Sequence, residues 1–384
     1  MGLGSSVGGL YAAAERRAGW LLVAGLAAAA VWNLRQWRRD RRRLAQLDRQ
    51  KPVAYDVDRT PRVSILLPAW NEAVSIGPCI ESILGLRYPD VELIVCAGGG
   101  DGTLDIARGC EGPRVIVLEQ LPGEGKQGAL RRCYERSTGQ VIFLTDADSI
   151  LDDACFEGTL GPVVAGGEDA ATGSWRPPDR QLDQPFIQYQ WSHHAYREIW
   201  MPAYAPALHG CNAAIARPVL EAVGAFEMVA PIGTDLALSR QLGAGGYSIR
   251  FVRESRVQTE YPETLADYRR QLSRWFRNPL VHEKGWLRSP SARSQLWAGL
   301  GATVLVVAPL PALFSGSLRS VWIGSVLHLV LAQLRTHAVL QEMIGQQAPP
   351  LQALRSCRYL PLGWAFMAES LWSFLCCPKK EGQW

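Results

Sequence analysis

Two aspartates with one residue between them, Asp146 and Asp148, directly follow an apolar run, Val141–Leu144. In an extended or turning segment, residues i and i+2 project to the same side, so both carboxylates can face one ligand. Hard carboxylate oxygens suit Mg2+ or Mn2+ that bridges a diphosphate, because such ions take few protein ligands and keep positions for phosphate oxygens. The pair alone also fits an acidic turn that caps the following helix, and both interpretations stay open on these residues.

A second candidate group is the segment Gln271-Leu272-Ser273-Arg274-Trp275. If the segment is helical, Gln271, Arg274 and Trp275 stand at positions i, i+3 and i+4, and therefore on one face. A guanidinium beside an amide can bind a diphosphate, and an indole can pack against a sugar or acceptor ring. The alternative is an ordinary interfacial helix, in which arginines and tryptophans contact lipid headgroups.

The elements that must position these residues alternate between apolar and helix-like character over residues 60–285. The pattern predicts strands at 63–67, 91–96, 115–118 and 141–144, and helices at 72–84, 103–108 and 126–136. Such alternation is typical of an α/β fold with a parallel, doubly wound sheet. Ligands of these folds bind outside the carboxyl ends of the strands, and Asp146 and Asp148 fall at such an end.

Residues 18–34 carry no charge and predict an N-terminal membrane anchor, since about 17 residues suffice to cross a bilayer. Trp20 and Trp32 lie near the ends of this run, where interfacial aromatic residues are expected. Six arginines crowd into positions 35–43 behind it, which predicts that the following domain lies in the cytosol. A cleaved signal peptide is the alternative, but its basic residues would precede the apolar run.

The C-terminal part of the chain turns apolar again from residue 295. Residues 296–318 carry no charge and predict a membrane span despite two prolines. Residues 321–340 are a weaker candidate because an arginine and two histidines interrupt them, and 359–377 is a third. The predicted organisation is an anchor with its basic segment at 1–45, a cytosolic domain at 60–290, and a membrane region of two or three spans at 295–384.

The composition of the 384 residues excludes several classes of protein. With 48% hydrophobic residues, the chain is neither disordered nor collagen-like. Forty Lys and Arg against 36 Asp and Glu leave a formal charge of +4, which is too small to predict nucleic-acid binding. The nine cysteines form no CxxC pair, so they predict reduced thiols and neither a zinc site nor a disulfide framework.

Short motifs follow one another in a fixed order over residues 60–285. They are Pro68-Ala69-Trp70-Asn71-Glu72, Gly98-Gly99-Gly100-Asp101, the glycine-rich 123–129, Asp146-Ala147-Asp148, Gly210-Cys211-Asn212, Gly233-Thr234-Asp235 and the segment 271–275. This order resembles the family-2 glycosyltransferases, which are inverting enzymes with a GT-A fold. The resemblance is strongest to their membrane-bound branch, which includes cellulose, hyaluronan and poly-N-acetylglucosamine synthases and the related ceramide glucosyltransferases.

The resemblance implies roles for the matched residues around the nucleotide. Glu72 would hold the base or ribose, and Asp101 would line the same pocket. Lys126 would approach the diphosphate. Asp146 would contact the base or ribose, and Asp148 would bind the Mg2+ or Mn2+ cofactor.

On the transfer side, the resemblance implies that Asp235 is the general base. An acceptor hydroxyl has a pKa far above 7, so a carboxylate within hydrogen-bond reach must take its proton. Gln271, Arg274 and Trp275 match the QxxRW motif that holds the diphosphate and the acceptor. Positive groups neutralise the charge of the departing nucleotide diphosphate, which lowers the barrier to transfer.

Two positions depart from the family pattern. Where the family has an aspartate that contacts the base, this chain has Ala97 followed by three glycines, so uridine specificity is not implied. In the element that carries the general base, Thr234 stands where the family has an acid.

The implied function is an inverting glycosyltransferase that is anchored in the plasma (inner) membrane with its catalytic domain in the cytosol. Its partners would be a nucleotide-diphosphate sugar, a lipid or glycan acceptor, and membrane lipids. A processive polysaccharide synthase and an inactive scaffold that binds nucleotide sugar are the alternatives. The predicted spans are few and mostly apolar, which favours the transfer of one or a few sugars to a lipid.

Overall fold

The computed structural model describes residues 3–49, 60–228, 233–282, 290–345 and 350–376. These residues form two compact units. The first, called the sheet unit here, comprises 60–181, 201–228 and 233–261. The second, called the helical unit, comprises 3–49, 182–200, 262–282, 290–345 and 350–376.

The elements are numbered in chain order over the described residues. The helices are α1 (Leu3–Asp48), α2 (Ile76–Leu84), α3 (Thr103–Arg108), α4 (Gly125–Arg136), α5 (Asp153–Val164), α6 (Pro185–Trp200), α7 (Arg217–Ala222), α8 (Thr234–Ala244), α9 (Leu265–His282), α10 (Pro290–Val307), α11 (Pro309–Ala312), α12 (Gly316–Met343), α13 (Pro350–Cys357) and α14 (Leu360–Cys376). The strands are β1 (Val63–Trp70), β2 (Val91–Gly98), β3 (Val115–Glu119), β4 (Val141–Leu144), β5 (Ser149–Ile150), β6 (Ala170–Arg176), β7 (Ala213–Ala216) and β8 (Ile249–Thr259).

Within the described residues, the sheet unit contains one eight-stranded sheet in the order β3-β2-β1-β4-β7-β6-β8-β5. The four predicted strands are confirmed, and β3, β2, β1 and β4 run parallel to one another. The other half of the sheet is mixed, because β7 pairs antiparallel with both β4 and β6. The fold is therefore a mixed α/β sheet.

The central strand β1 is buried over seven consecutive residues, from Val63 to Ala69. Ile65 and Leu67 belong to the hydrophobic core on one face, and Leu66 belongs to the core on the other. Successive side chains of a strand point to opposite faces, so a strand covered on both sides is apolar at most positions. The buried Ser64 is the exception in β1, and its hydroxyl donates to the Glu92 carboxylate at 2.6 Å.

The register of the parallel strands brings several candidate residues to one edge of the sheet. Leu66 on β1 pairs with Leu144 on β4, and Trp70 pairs with Gly98 on β2. The loops that begin after these strands therefore leave the same carboxyl-terminal edge. These loops carry the Asn71-Glu72, Gly99–Asp101 and Asp146–Asp148 motifs.

The helical unit contains three helices that are long and apolar enough to cross a membrane, among the residues described. They are Arg17–Asp48, Ala292–Ala312 and Gly316–Met343. The N-terminal segment predicted as an anchor thus lies within a longer helix. The 17-residue α14 falls outside this set.

The predicted single span at 296–318 is wrong in its C-terminal part. α10 ends at Val307, the single turn α11 follows, and α12 begins only at Gly316. Pro309 and Pro311 lack the N–H groups that continue a helix. Ser315 then caps α12, since its hydroxyl oxygen accepts a hydrogen bond from the Leu318 N–H at 3.4 Å.

The ionisable residues that weaken the 321–340 prediction turn inward and find partners. The His328 ring nitrogen Nδ1 lies 3.0 Å from the amide nitrogen of Asn33 on α1. Arg335 forms an ion pair with Asp40, whose side chain is fully buried, and also donates to the Tyr196 hydroxyl at 3.0 Å. These contacts join α12 to α1 and α6 and explain how a polar stretch can form a long packed helix.

Candidate active site

The loops after β1 and β2 are joined by hydrogen bonds that backbone N–H groups of one loop donate to side-chain oxygens of the other. Asn71 adopts a positive φ of 57°, and its side-chain oxygen accepts from the Gly100 N–H at 2.9 Å. Asp101 accepts from the Ala73 N–H at 3.0 Å and from the Thr103 hydroxyl at 2.6 Å. The hydrogen bonds from Thr103 and Ala73 hold the pKa of Asp101 below its ordinary value. Asp101 thus shapes the predicted nucleotide pocket by joining its two loops.

The glycines at the end of β2 make room for the loop after β1. A β-carbon at Gly98 would lie 2.8 Å from the Trp70 ring and 2.6 Å from the Gln120 carbonyl oxygen. At Gly99, where φ is +114°, it would lie 2.2 Å from the Asn71 side-chain oxygen. The three-glycine departure from the family pattern is therefore linked to the packing of Trp70 and Asn71 against this turn.

The Gly99→Ala variant is expected to lose stability, because alanine disfavours this backbone conformation and its methyl group would displace Asn71. A strained position of this kind costs about 1–3 kcal/mol. Thermal unfolding of the purified full chain measures the loss. Gly100→Ala is the matched control, since nothing lies within 4 Å of a β-carbon there. Equal losses in the two variants would contradict the assignment.

Glu72 lies beside this pair of loops and close to other acids. Its backbone N–H donates to the Thr103 hydroxyl at 2.7 Å, and its carboxylate accepts from the Ser75 hydroxyl at 2.8 Å. Burial raises the pKa of Glu72, and the charges of Asp146 and Asp101 raise it further despite the Ser75 hydrogen bond. The negative charges of Asp146 and Asp101 therefore repel the carboxylate of Glu72 at this edge of the sheet.

Asp146 and Asp148 follow β4, and their backbone is held from two sides. The Thr145 hydroxyl donates to the Cys211 carbonyl at 3.1 Å, and the Cys79 thiol lies 3.6 Å from the Asp146 carbonyl oxygen. Burial raises the pKa of Asp148 to about 7, with additional contributions from the charges of Asp146 and Glu72. Burial and the neighbouring acids thus disfavour the charged form of the Asp148 carboxylate.

Lys126, in the first turn of α4, supplies positive charge to the same place. Its ammonium forms an ion pair with the Asp146 carboxylate. Burial disfavours the charged ammonium and lowers its pKa. The negative charges of Asp146 and Asp235 have the larger combined effect, so the pKa of Lys126 is raised. The lysine side chain keeps 44% of its surface exposed, so a ligand can still approach it.

Asp235 lies in the first turn of α8, where Gly233 precedes it with a φ of 66°. A β-carbon at Gly210 would lie 3.4 Å from that of Asp235 and 3.7 Å from the Lys126 ammonium. The three residues also line one small space together with Thr145. The structure therefore brings Lys126, Asp146 and Asp235 together, as the sequence predicts. Residues 229–232, which precede this turn, lie outside the described part of the chain.

The donor set at this edge fits a divalent cation that is completed by phosphate. Among the described residues, no three His, Cys, Asp or Glu side chains form a ready metal site. A cation held by one or two carboxylates and by a diphosphate does not need a third protein ligand. Burial raises the pKa of Asp148, the charges of Asp146 and Glu72 add to the rise, and a bound cation would favour the charged carboxylate.

Gln271, Arg274 and Trp275 lie on α9 in the helical unit, which confirms that the segment is helical. Gln271 is half-buried, whereas Arg274 and Trp275 are exposed. The Trp275 ring centre lies 5.5 Å from that of His194 on α6. The role of these three residues toward the diphosphate and the acceptor stays a prediction.

Three residues of this site escaped the sequence interpretation. Gly210 lies against Asp235 and Lys126, Asn71 accepts a hydrogen bond from the turn after β2, and Thr145 links β4 to the loop before β7. Gly210 and Asn71 belong to motifs named in the sequence analysis, so the motifs could have indicated that both residues lie at the site. Thr145 carries no such signal, since its partner is a backbone carbonyl far along the chain.

The mixed α/β fold is that of the GT-A glycosyltransferases, and the comparisons agree with this class. The profile of the family described as "Glycosyltransferase like family 2" matches residues 61–278. The chain belongs to glycosyltransferase family 2. This finding confirms the family and the fold class predicted from the ordered motifs.

Relatives and solved structures support this class. The probable glycosyltransferase YdaM of Bacillus subtilis is 29% identical over 56% of this chain and 55% of its own length. The poly-beta-1,6-N-acetyl-D-glucosamine synthase of Staphylococcus epidermidis is 28% identical over 24% of this chain and 23% of its own. The chain thus spans about half or less of these relatives.

A mannosyltransferase from Pyrobaculum calidifontis, solved with GDP-Man and Mn2+, shares the fold. Its TM-score is 0.53 at 19% identity, with 94% of this chain and 100% of that chain covered. At this identity, the likeness concerns the fold alone.

Proposed function

We propose that this protein transfers a sugar from a nucleotide-diphosphate donor to a membrane lipid, with inversion at the anomeric carbon. The observation that carries the proposal is the convergence of Lys126, Asp146 and Asp235 at the carboxyl edge of the sheet. A positive group for the diphosphate and a carboxylate for the acceptor stand within one site. A single displacement needs these two groups and no enzyme nucleophile.

On the donor side, Asp148 with Asp146 would hold Mg2+ or Mn2+. When bound, the cation supplies positive charge to the diphosphate. Lys126 would add its ammonium to the departing oxygens, and Glu72 would position the base or ribose. Gln271, Arg274 and Trp275 would contribute from α9, in line with the QxxRW motif that they match.

On the acceptor side, Asp235 would accept the proton of the attacking hydroxyl. The carboxylate is half-buried in the first turn of a helix, so it is fixed in place and still accessible. A proton acceptor in this position raises the nucleophilicity of the hydroxyl as the bond to the sugar forms.

The membrane assignment rests on the three long apolar helices and on the arginines behind the first of them. The arginines favour a cytosolic location for the sheet unit at the plasma (inner) membrane. The organisation would be an anchor at 1–45, a catalytic domain at 60–290 and a membrane region at 295–384.

The product is expected to be a glycolipid that carries one or a few sugars. Threading a polysaccharide through the bilayer requires a channel lined with polar groups. Within the described residues, two polar pairs of the spans, Asn33 with His328 and Asp40 with Arg335, are occupied with each other. Sizing the product made by the full chain in proteoliposomes measures this.

Low-mass glycolipid would support the proposal, whereas polymer inside the vesicle lumen would establish the processive alternative. A control without lipid acceptor separates transfer from donor hydrolysis. Nucleotide-sugar binding without any product would instead favour the inactive scaffold.

A further inference from the structure

A basic groove lies on the part of α1 that follows its apolar run, and the residues assigned to sugar transfer lie outside it. It has a volume of about 460 Å³. The residues that line it, called the basic groove here, are Arg35, Arg38, Arg39, Arg42, Arg43, Gln46 and Trp200. All of them belong to the helical unit.

The spacing of the groove residues is helical and places them on one face. The six positions on α1 recur at intervals of three and four, so their side chains form one row. From Arg35 to Gln46, the row is roughly 16 Å long at 1.5 Å per residue. This length exceeds a single phosphate and suits a headgroup with its glycerol or a second phosphate.

The described acidic residues near the row pair with arginines outside it. The two ion pairs of this stretch are formed by Asp40 with Arg335 and by Arg41 with Glu342, none of which line the groove. In the described part of the chain, the groove arginines have no carboxylate partner within 4 Å. Five adjacent guanidinium groups would repel one another unless an anion lies among them.

The wall formed by α6 fixes the shape of the groove. The Trp200 indole N–H donates to the buried Asp40 carboxylate at 3.2 Å, and the Arg39 guanidinium lies 4.2 Å from the Trp200 ring centre. Arg43 donates to the Ile199 carbonyl at 2.8 Å. The groove is therefore a built site with an aromatic floor, whereas a flexible basic tail would have no defined shape.

The position along α1 suggests the source of the anion. The exposed apolar side chains of this helix include Trp20, Trp32 and Leu34, and the groove begins at the next residue, Arg35. If α1 crosses the bilayer, the groove lies where the headgroups of the cytosolic leaflet begin.

We propose that the basic groove binds the phosphate of an anionic lipid headgroup. Guanidinium groups bind phosphate oxygens through paired, charge-assisted hydrogen bonds. The Trp200 ring covers the lipid's glycerol region at the interface. The shared chemistry is phosphate recognition, and free phosphate is the competing source.

The test compares two neighbouring arginines in the full chain, purified in a neutral detergent. Dioctanoyl phosphatidylglycerol is titrated in, and native mass spectrometry counts the lipid molecules bound. Arg42→Gln is expected to weaken binding about five-fold, and Arg38→Gln combined with Arg42→Gln about 25-fold. Arg41→Gln is the control, since Arg41 lies next to the groove in sequence, carries the same charge and does not line it.

Selective weakening by the groove variants supports the proposal, and so does weaker binding of zwitterionic dioctanoyl phosphatidylcholine. Equal weakening by Arg41→Gln would show general attraction and overturn the site. Complete displacement of the lipid by millimolar inorganic phosphate would overturn the lipid source. Thermal unfolding of each variant confirms that the chain is folded.

Discussion

Replacing Asp148 with alanine is expected to abolish sugar transfer, and EDTA is expected to do the same to the unchanged protein. The carboxylate stands after β4, where burial raises its pKa and the charges of Asp146 and Glu72 add to the rise, and it is the metal ligand in our proposal. Without the cation, the negative charge of the departing nucleotide diphosphate is left largely unbalanced. Release of nucleotide diphosphate in the presence of donor and lipid acceptor measures turnover.

Asp105→Ala is the matched control, because this exposed aspartate on α3 lies in the same unit and outside the site. Since burial and neighbouring acids disfavour the charge of Asp148, the Asp148→Ala protein should be no less stable than the original chain at pH 8. Added Mn2+ or Mg2+ should restore the EDTA-treated enzyme. Full activity in EDTA would contradict the metal assignment.

Replacing Asp235 with asparagine is expected to lower the rate by roughly 100-fold or more, the scale of general-base catalysis. The amide keeps the shape of the carboxylate but cannot take the hydroxyl proton. Donor affinity should change little, because the nucleotide groups assigned above lie on other loops. Single-turnover rates and donor titration, measured separately, distinguish the two effects.

The control for this variant is Asp179→Asn, which removes a charge from an exposed aspartate of the sheet unit. If Asp235→Asn instead loses donor affinity while the remaining rate is maintained, Asp235 is a binding residue. In that case, another group must accept the proton.

The parallel half of the sheet could be predicted from the sequence because its strands are buried on both faces. β1, β2 and β4 are mostly apolar runs followed by polar or glycine-rich residues, and Ser64 and Glu92 are the polar exceptions within β1 and β2. The antiparallel half gives a weaker signal. β7 has only four residues, three of them alanine, and β6 contains Gly173 beside a register shift against β8. Their pairing depends on contacts between distant parts of the chain.

The membrane helices show a similar limit. Hydropathy marks 296–318 as one run, because it takes no account of the non-helical residues 313–315 that separate Ala312 from α12. Hydropathy also weakens the prediction of a span at α12, because it treats His328 and Arg335 as unpaired polar side chains in the bilayer. Their partners, Asn33 and Asp40, lie almost 300 residues earlier in the chain, so only the packed structure reveals the compensation.

For the site, the structure pairs Lys126 with Asp146 and places Lys126 and Asp235 around one small space, and the roles assigned to these residues stay predictions. Motif order was not enough to predict what Asp101 does in the structure. That carboxylate is occupied by Thr103 and the Ala73 N–H, which a sequence motif cannot indicate.

The most direct test of the central claim is one reaction followed by product analysis. The purified full chain is incubated with a panel of nucleotide-diphosphate sugars and a lipid extract, and the products are analysed by mass spectrometry and by anomeric configuration. We expect one donor to release one nucleotide diphosphate for each sugar that appears on a low-mass lipid, with the configuration opposite to that of the donor. A product that retains the donor's configuration, or nucleotide-sugar binding with no product from any donor, would contradict the account.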